Sequence, residues 1–199
     1  VTSSATASSY SFTLTGVTSG QLIHLPVKVM CDSNIQTPAS RTVTLNGVAA
    51  TFIVGSASGS SGTSPAQGTF RVIANASGDL SLSITLSGSA RACAVDARYL
   101  SGVHATTPVV GTPVAPASLN SDVTSLNSPN GYVPQAAGNV ILDDICIKGG
   151  DITGLSASGA DGSSVGETGS NATSDVEVGA AYIVAADTSA KTIAWSWTG

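Results

Sequence analysis

Hydrophobic and polar residues alternate with a period of two along several parts of the chain. Tyr10, Phe12 and Leu14 alternate with Ser and Thr, and the same alternation recurs at 80–86 and 193–197. Successive side chains of a strand point to opposite faces of a sheet, so these stretches predict strands with one buried face. The polar face carries Ser and Thr in place of charged residues, which suits strand propensity.

Seven further stretches have strand-like composition between Gly, Pro, Asn, Asp and Ser residues. They are 21–30, 41–46, 48–54, 69–75, 91–100, 139–148 and 178–186. No stretch has the apolar spacing of an amphipathic helix, and only a short helical turn is expected, at 119–126 with Ser121 as its N-cap. The pattern predicts an all-β fold, an antiparallel two-sheet jelly-roll-like β-sandwich with long loops. An immunoglobulin-like sandwich is the alternative.

Three segments lack strand patterning and are predicted to be long exposed loops. They are 55–68, 105–136 and 156–175, and the second contains five prolines. Proline removes a hydrogen-bond donor, so 105–136 is expected to be an irregular excursion. It would serve as a linker if the chain had two domains. Neither half offers enough large apolar residues for a core of its own, however, so a single domain over 1–199 is expected.

Charge and composition exclude several function classes. Charged residues make up 10% of the chain, with 7 Lys plus Arg against 12 Asp plus Glu and a net charge of -5. This balance excludes a basic surface and therefore nucleic acid as the main partner. No apolar run reaches the length of a membrane span, and 1–9 does not have the pattern of a signal peptide. The chain starts at Val, so a processed signal peptide remains open.

The titratable residues do not assemble into a recognisable catalytic motif. The only histidines are His24, between apolar neighbours, and His104, at a loop entrance, and both are expected to be structural or surface residues. Asp143 and Asp144 are adjacent in a predicted strand, so their side chains point to opposite faces and cannot converge on a substrate. They are expected to be charges at a sheet edge or bulge. No catalytic residue is assigned.

Metal and cofactor sites are not expected either. Cys31, Cys93 and Cys146 form no CxxC pair, and an odd count favours reduced thiols, with one disulfide plus one thiol as the alternative. Four oxygen-bearing residues crowd the predicted loop 156–175, namely Asp161, Glu167, Asn171 and Asp175. They leave a Ca²⁺ site open, although a solvated acidic loop is favoured because their spacing does not match an EF-hand. No phosphate-binding loop occurs.

Trp195 and Trp197 lie on the same face of the last predicted strand. Paired tryptophans in a chain with few aromatic residues are expected in the core. An exposed pair would instead form a platform on which a sugar ring stacks.

Four stretches carry a family resemblance: TVTLNGVAATF (42–52), GTFRVIA (68–74), GDLSLSITLSGSA (78–90) and AAYIVAADTSAKTIAWSWTG (180–199). Their pattern of strands and turns resembles that of jelly-roll structural proteins of tailed bacteriophage virions, such as head-decoration (cement) and tail-associated proteins. The same pattern occurs in secreted surface and carbohydrate-binding β-sandwiches. The first resemblance implies a non-enzymatic virion protein, assembled in the host cytoplasm, that contacts copies of itself in a possible trimer and other virion proteins. The second implies an extracellular binding module.

The Pro-rich segment is the best candidate for a subunit contact. Its prolines lower the entropy lost on docking. Its predicted apolar anchors are Val109, Val110, Val114, Leu119, Val123 and Leu126.

Overall fold

The structure is a computed structural model that describes residues 1–31, 37–57, 65–103, 125–127, 132–148, 153–167 and 176–198. These residues form fifteen strands and one short 3₁₀ helix, Pro38–Ser40, and no α-helix occurs among them. Every strand pairing between them is antiparallel. The predicted all-β, antiparallel, sandwich-like fold is therefore confirmed.

Nine strands come from the N-terminal half of the chain. They are β1 Thr2–Ser3, β2 Ala7–Val17, β3 Leu22–Cys31, β4 Thr42–Leu45, β5 Val48–Ala49, β6 Thr51–Ala57, β7 Pro65–Ile73, β8 Gly78–Val95 and β9 Arg98–Leu100. Six strands come from the C-terminal half. They are β10 Ser125–Asn127, β11 Val140–Lys148, β12 Thr153–Ser158, β13 Gly162–Glu167, β14 Val176–Val184 and β15 Ala194–Thr198. Each of the ten stretches predicted to be strands overlaps a strand, but the boundaries differ: 80–86 and the first half of 91–100 belong to the single strand β8, and 48–54 is divided between β5 and β6.

The N-terminal strands form one nearly closed, barrel-like sheet with the order β5-β4-β8-β3-β7-β6. Strand β8 is 18 residues long and changes partners along its length. Its first half pairs with β2 and β4, and its second half pairs with β1 and β3. The alternation seen in the sequence places Leu80, Leu82 and Ile84 inside this sheet, where they pack with Leu25 and Phe70.

The C-terminal strands form two three-stranded sheets, β11-β14-β13 and β10-β15-β12. A second apolar cluster fills the space between them. Its buried members are Ile145, Leu155, Ala181, Ile183, Ile193 and Trp195. The expectation that neither half builds a core of its own is therefore wrong, because each half has one.

Strand β3 joins the two halves because it is buried on both faces along its whole length. Ile23, Leu25, Val27 and Val29 point into the N-terminal core. The alternate positions point outward, and there Met30 packs with Ala92, Ala94, Val178 and Cys146 in a third cluster. The β11-β14-β13 sheet therefore packs against the outside of the N-terminal sheet at β3 and β8. A single domain over 1–199 stays a prediction.

Two of the predicted loops are shorter than expected. Strands β6 and β7 extend into 55–68, and their pairing reaches Ala57 and Ala66. Residues 58–64 lie outside the described residues. The segment 156–175 contains the end of β12 and all of β13, so the prediction of one long loop there is wrong. The composition of β13, GSSVGE, hides it because Gly and Ser ordinarily favour turns.

Little of the Pro-rich segment belongs to the described part of the chain. Val109, Val110, Val114, Leu119 and Val123 lie outside the described residues. Leu126 lies in β10, opposite Trp195 of β15. Because 125–127 is a strand, the helical turn expected at 119–126 is wrong at its end, and its other residues lie outside the described ranges.

The register of β8 leads to a direct test. Leu82 is fully buried and Ser81 is exposed. Leu82→Asp places an unpaired charge in the N-terminal core and should destabilise the protein by at least about 4 kcal/mol, a large part of the roughly 5–15 kcal/mol by which native proteins are stable. Ser81→Asp should change stability by less than about 0.5 kcal/mol. Urea denaturation followed by tryptophan fluorescence measures both, and equal tolerance of the two substitutions would contradict the register.

Candidate functional site

A buried cluster of ionisable side chains lies where the two halves meet. His24 Nε2 lies 2.8 Å from Asp144 Oδ2, and the side chains are only 10% and 5% exposed. The contact joins β3 to β11 across 120 residues of chain. His24 thus has the structural partner that its apolar neighbours imply. Asp144 lies on an edge strand of its sheet among the described strands, in agreement with the expected sheet-edge position, but its side chain is buried and faces β3.

Lys28 lies on the same face of β3 as His24 and is completely buried. Its Nζ donates a hydrogen bond of 2.9 Å to the carbonyl oxygen of Gly179 in β14. Burial lowers the pKa of Lys28, and the charge of Asp144 is the strongest influence in the opposite direction. A completely buried lysine is rare in proteins because the charged form loses its hydration. We call His24, Lys28 and Asp144 the interface cluster.

The electrostatics of Asp144 depend on these neighbours. Burial alone would raise the pKa of Asp144, but the charge and hydrogen bond of His24 and the charges of Lys28 and Arg98 outweigh it, so the pKa is lowered. The carboxylate is therefore ionised at neutral pH. Its second oxygen, Oδ1, is buried without a hydrogen-bond partner.

Asp143 points to the other face of β11, as the sequence predicts for adjacent strand residues. Burial, and secondarily the charge of Asp144, raise the pKa of Asp143 to about 6, against the opposing influence of Trp195 and Tyr132. Asp143 Oδ2 and Trp195 Nε1 are nevertheless both buried without a well-formed hydrogen bond. Asp143 and Asp144 therefore do not converge on one site.

The two tryptophans do not form an exposed platform. Trp195 is 2% exposed and belongs to the C-terminal core, and Trp197 is half-buried against the same core. The ring of Trp195 packs so closely on Gly179 that a Cβ atom there would lie 2.5 Å from it. The small residue thus allows Trp195 to approach the strand whose carbonyl holds Lys28.

The cysteines and the loop considered for Ca²⁺ binding do not form a further site among the described residues. Cys93 and Cys146 are thiols, and burial raises the pKa of each to about 12. Asp161 accepts a hydrogen bond from the backbone N–H of Val184, whereas Asn171 and Asp175 of the proposed Ca²⁺ loop lie outside the described residues, as does His104. The described ranges contain no group of three metal-ligating side chains and no helix long and apolar enough to cross a membrane.

Sequence reasoning missed Lys28. The available signal is its position four residues after His24 in an otherwise apolar strand, LIHLPVKVMC, which places both side chains on one face. The partners Asp144 and Gly179 are too distant in sequence to be paired with it from that pattern.

No protein-family model, curated protein or solved structure matches the chain. Its function must therefore be argued from the geometry. The interface cluster contains an amine, a carboxylate and an imidazole, but all three are buried, so an external substrate has no access to them in this conformation. What the cluster does in the folded protein is to join the two halves.

The raised pKa of Asp143 gives a stability test. In an unfolded chain the pKa of the Asp143 carboxyl group is about 4. Because its pKa is higher in the folded protein, the free energy of unfolding falls as the pH rises through about 6, and the full loss of stability is present above that pH. Asp143→Asn removes that cost and should stabilise the protein at about pH 7.5 by roughly 2–3 kcal/mol. At about pH 4 both proteins carry an uncharged side chain, so the difference should vanish. Thermal melts across this range test it, and an equal difference in Tm at every pH would contradict it.

Proposed function

We propose that this chain is a non-enzymatic structural protein of a bacteriophage virion that acts by subunit contacts, as a capsid decoration (cement) protein or a tail component. Its partners would be copies of itself, in an oligomer such as a trimer, and other virion proteins. The proposal rests on the resemblance of the strand pattern and on one observation, an apolar sheet surface left uncovered at one end of β11 and β14.

This surface comprises Val140, Leu142, Tyr182 and Val184, and we call it the open end. Val140 lies opposite Val184 and Leu142 opposite Tyr182 in the register of the two strands, so all four share one face. Farther along the same face, Asp144 is buried against the N-terminal half. Val140, Tyr182 and Val184 are 43%, 38% and 50% exposed. The open end therefore continues a face that is buried elsewhere in the molecule.

The strand arrangement at the open end also favours a protein partner. Strand β11 is the edge of its sheet among the described strands. Natural edge strands are usually protected by charged residues, because unpaired backbone groups and apolar side chains promote association. The exposed side chains at the open end are apolar, which suits a surface that a neighbouring subunit covers.

The alternative function, a carbohydrate-binding or adhesin-type module with an extracellular location, has weaker support. It requires Trp195 and Trp197 to form a flat exposed pair, and Trp195 is 2% exposed. The thiol state of the three cysteines agrees better with assembly in a reducing cytoplasm.

Charge substitutions at the open end test the proposal. Val140→Lys combined with Val184→Lys should abolish self-association and particle binding, because each substitution places a charge that must lose its hydration when a partner covers the surface. Ile73→Lys is the matched control, since Ile73 is 37% exposed on β7 of the other half. Sedimentation velocity and co-sedimentation with virions measure the effects, with thermal melts to confirm folding. A wild-type protein that stays monomeric and does not bind particles would overturn the proposal.

The Pro-rich segment requires a separate test. Deletion should be limited to 108–122, because β10 pairs with β15 and Tyr132 pairs with Lys191, and both pairings belong to the fold. We expect the shortened chain to keep its Tm within a few degrees and to lose assembly or particle binding. Replacing Val109, Val110 and Val114 by Ser should have the same effect without changing the length. Unimpaired assembly of both variants would exclude the segment as the contact arm.

A further inference from the structure

Two buried polar groups of the interface cluster are left with too few partners. An ammonium group has three donors, and the described residues provide Lys28 Nζ with one acceptor, the Gly179 carbonyl oxygen. Asp144 Oδ1 is buried with none. Incompletely satisfied buried groups are uncommon and call for a specific explanation. Here one amine and one carboxylate are both under-satisfied in the same buried layer.

The register places the two groups close together. Gly179 lies opposite Ile145, and its neighbour Ala180 lies opposite Asp144. Neighbouring residues of a strand are about 3.3 Å apart and paired strands about 4.8 Å apart, so the carbonyl that holds Nζ is roughly one residue away from the backbone of Asp144. The Asp144 side chain points to β3, where its Oδ2 meets His24, on the face that carries Lys28. The charges of the two side chains influence each other, as their positions on facing surfaces of β3 and β11 imply.

We propose that Lys28 and Asp144 condense into an intramolecular isopeptide bond, an amide between Lys28 Nζ and Asp144 Cγ, with His24 as the proton donor. The neutral amine attacks Cγ, a C–N bond forms and one C–O bond breaks. The departing oxygen leaves as water, with one proton from the amine and one from protonated His24, which ends neutral. No oxidant or reductant is required.

Three features of the surroundings favour this step, and the donation of a proton by His24 offsets the ionisation of the Asp144 carboxylate. Burial lowers the pKa of Lys28, which increases the fraction of the nucleophilic neutral amine. The contact of 2.8 Å places His24 Nε2 on the oxygen that leaves. Condensation also removes two charges from a buried site, where each is costly. This proposal does not rest on the function proposed above.

The chain contains a second lysine–aspartate pair, which is exposed to solvent. Lys191 Nζ lies 2.7 Å from Asp187 Oδ1, and that carboxylate is 62% exposed. In water the ionic forms are well solvated and an amide has no advantage, so this pair should remain an ordinary ion pair despite its short distance. Exclusion of water, in addition to proximity, is what distinguishes the interface cluster.

Intact-mass spectrometry of the full, folded wild-type chain, denatured and reduced just before measurement, tests the proposal. The chain should be lighter than its sequence mass by one water molecule. Proteolytic fragments should include a branched peptide that joins Lys28 to Asp144. Wild-type protein that keeps its full sequence mass after prolonged incubation in the folded state between about pH 5 and 8 would overturn the proposal.

Three variants show whether the loss has the proposed origin. Lys28→Met should keep its full mass, whereas Asp143→Asn and Lys191→Met should each still lose one water. Asp143 is the adjacent carboxylate on the opposite face, and Lys191 is the exposed lysine of the contrasting pair. Loss of water that persists in Lys28→Met would instead indicate a cyclic imide, for example at Asp161–Gly162, and would refute the isopeptide.

Discussion

The contact between His24 and Asp144 determines how the two halves of the chain meet. The carboxylate of Asp144 is removed from water here, which costs several kcal/mol unless a partner holds it. Shifting the pairing of β11 with β14 by one residue would turn Asp144 away from His24 and place Asp143 or Ile145 there. The pair therefore fixes the register between layers that apolar contacts alone, through Ala92, Ala94 and Val178, would specify weakly.

Three of the six buried polar side-chain atoms that have no hydrogen-bond partner among the described residues lie at strand β11 or against it. Asp144 Oδ1 lies on one face of β11, and Asp143 Oδ2 and Trp195 Nε1 lie on the other. Functional sites are often the places where a protein leaves polar groups without hydrogen-bond partners or departs from close packing. Strand β11 combines this feature with the open end, so unpartnered buried polar atoms and exposed apolar side chains occur on one element.

The alternation of residues was sufficient to predict the strands with large side chains, including 78–87 and 193–197. It also predicted that Asp143 and Asp144 point apart. It did not reveal β12 and β13, because GLSAS and GSSVGE become strands only by pairing with β15 and β14. The interface cluster was equally hidden. His24 and Lys28 share a face by simple parity, but Asp144 is 120 residues away from His24, and only the packing of one sheet on another brings them together.

The length of β8 has a consequence for how the protein opens. Its backbone pairs on both sides, with β2 and β4 over the first part and with β1 and β3 over the second. An amide in such a strand exchanges with solvent only when a neighbouring strand has separated. The short edge strands β5 and β9 can fray singly, whereas β8 is released only after neighbouring strands on both sides have lost their pairing. Transient openings should therefore begin at the periphery of the N-terminal sheet and reach β8 last.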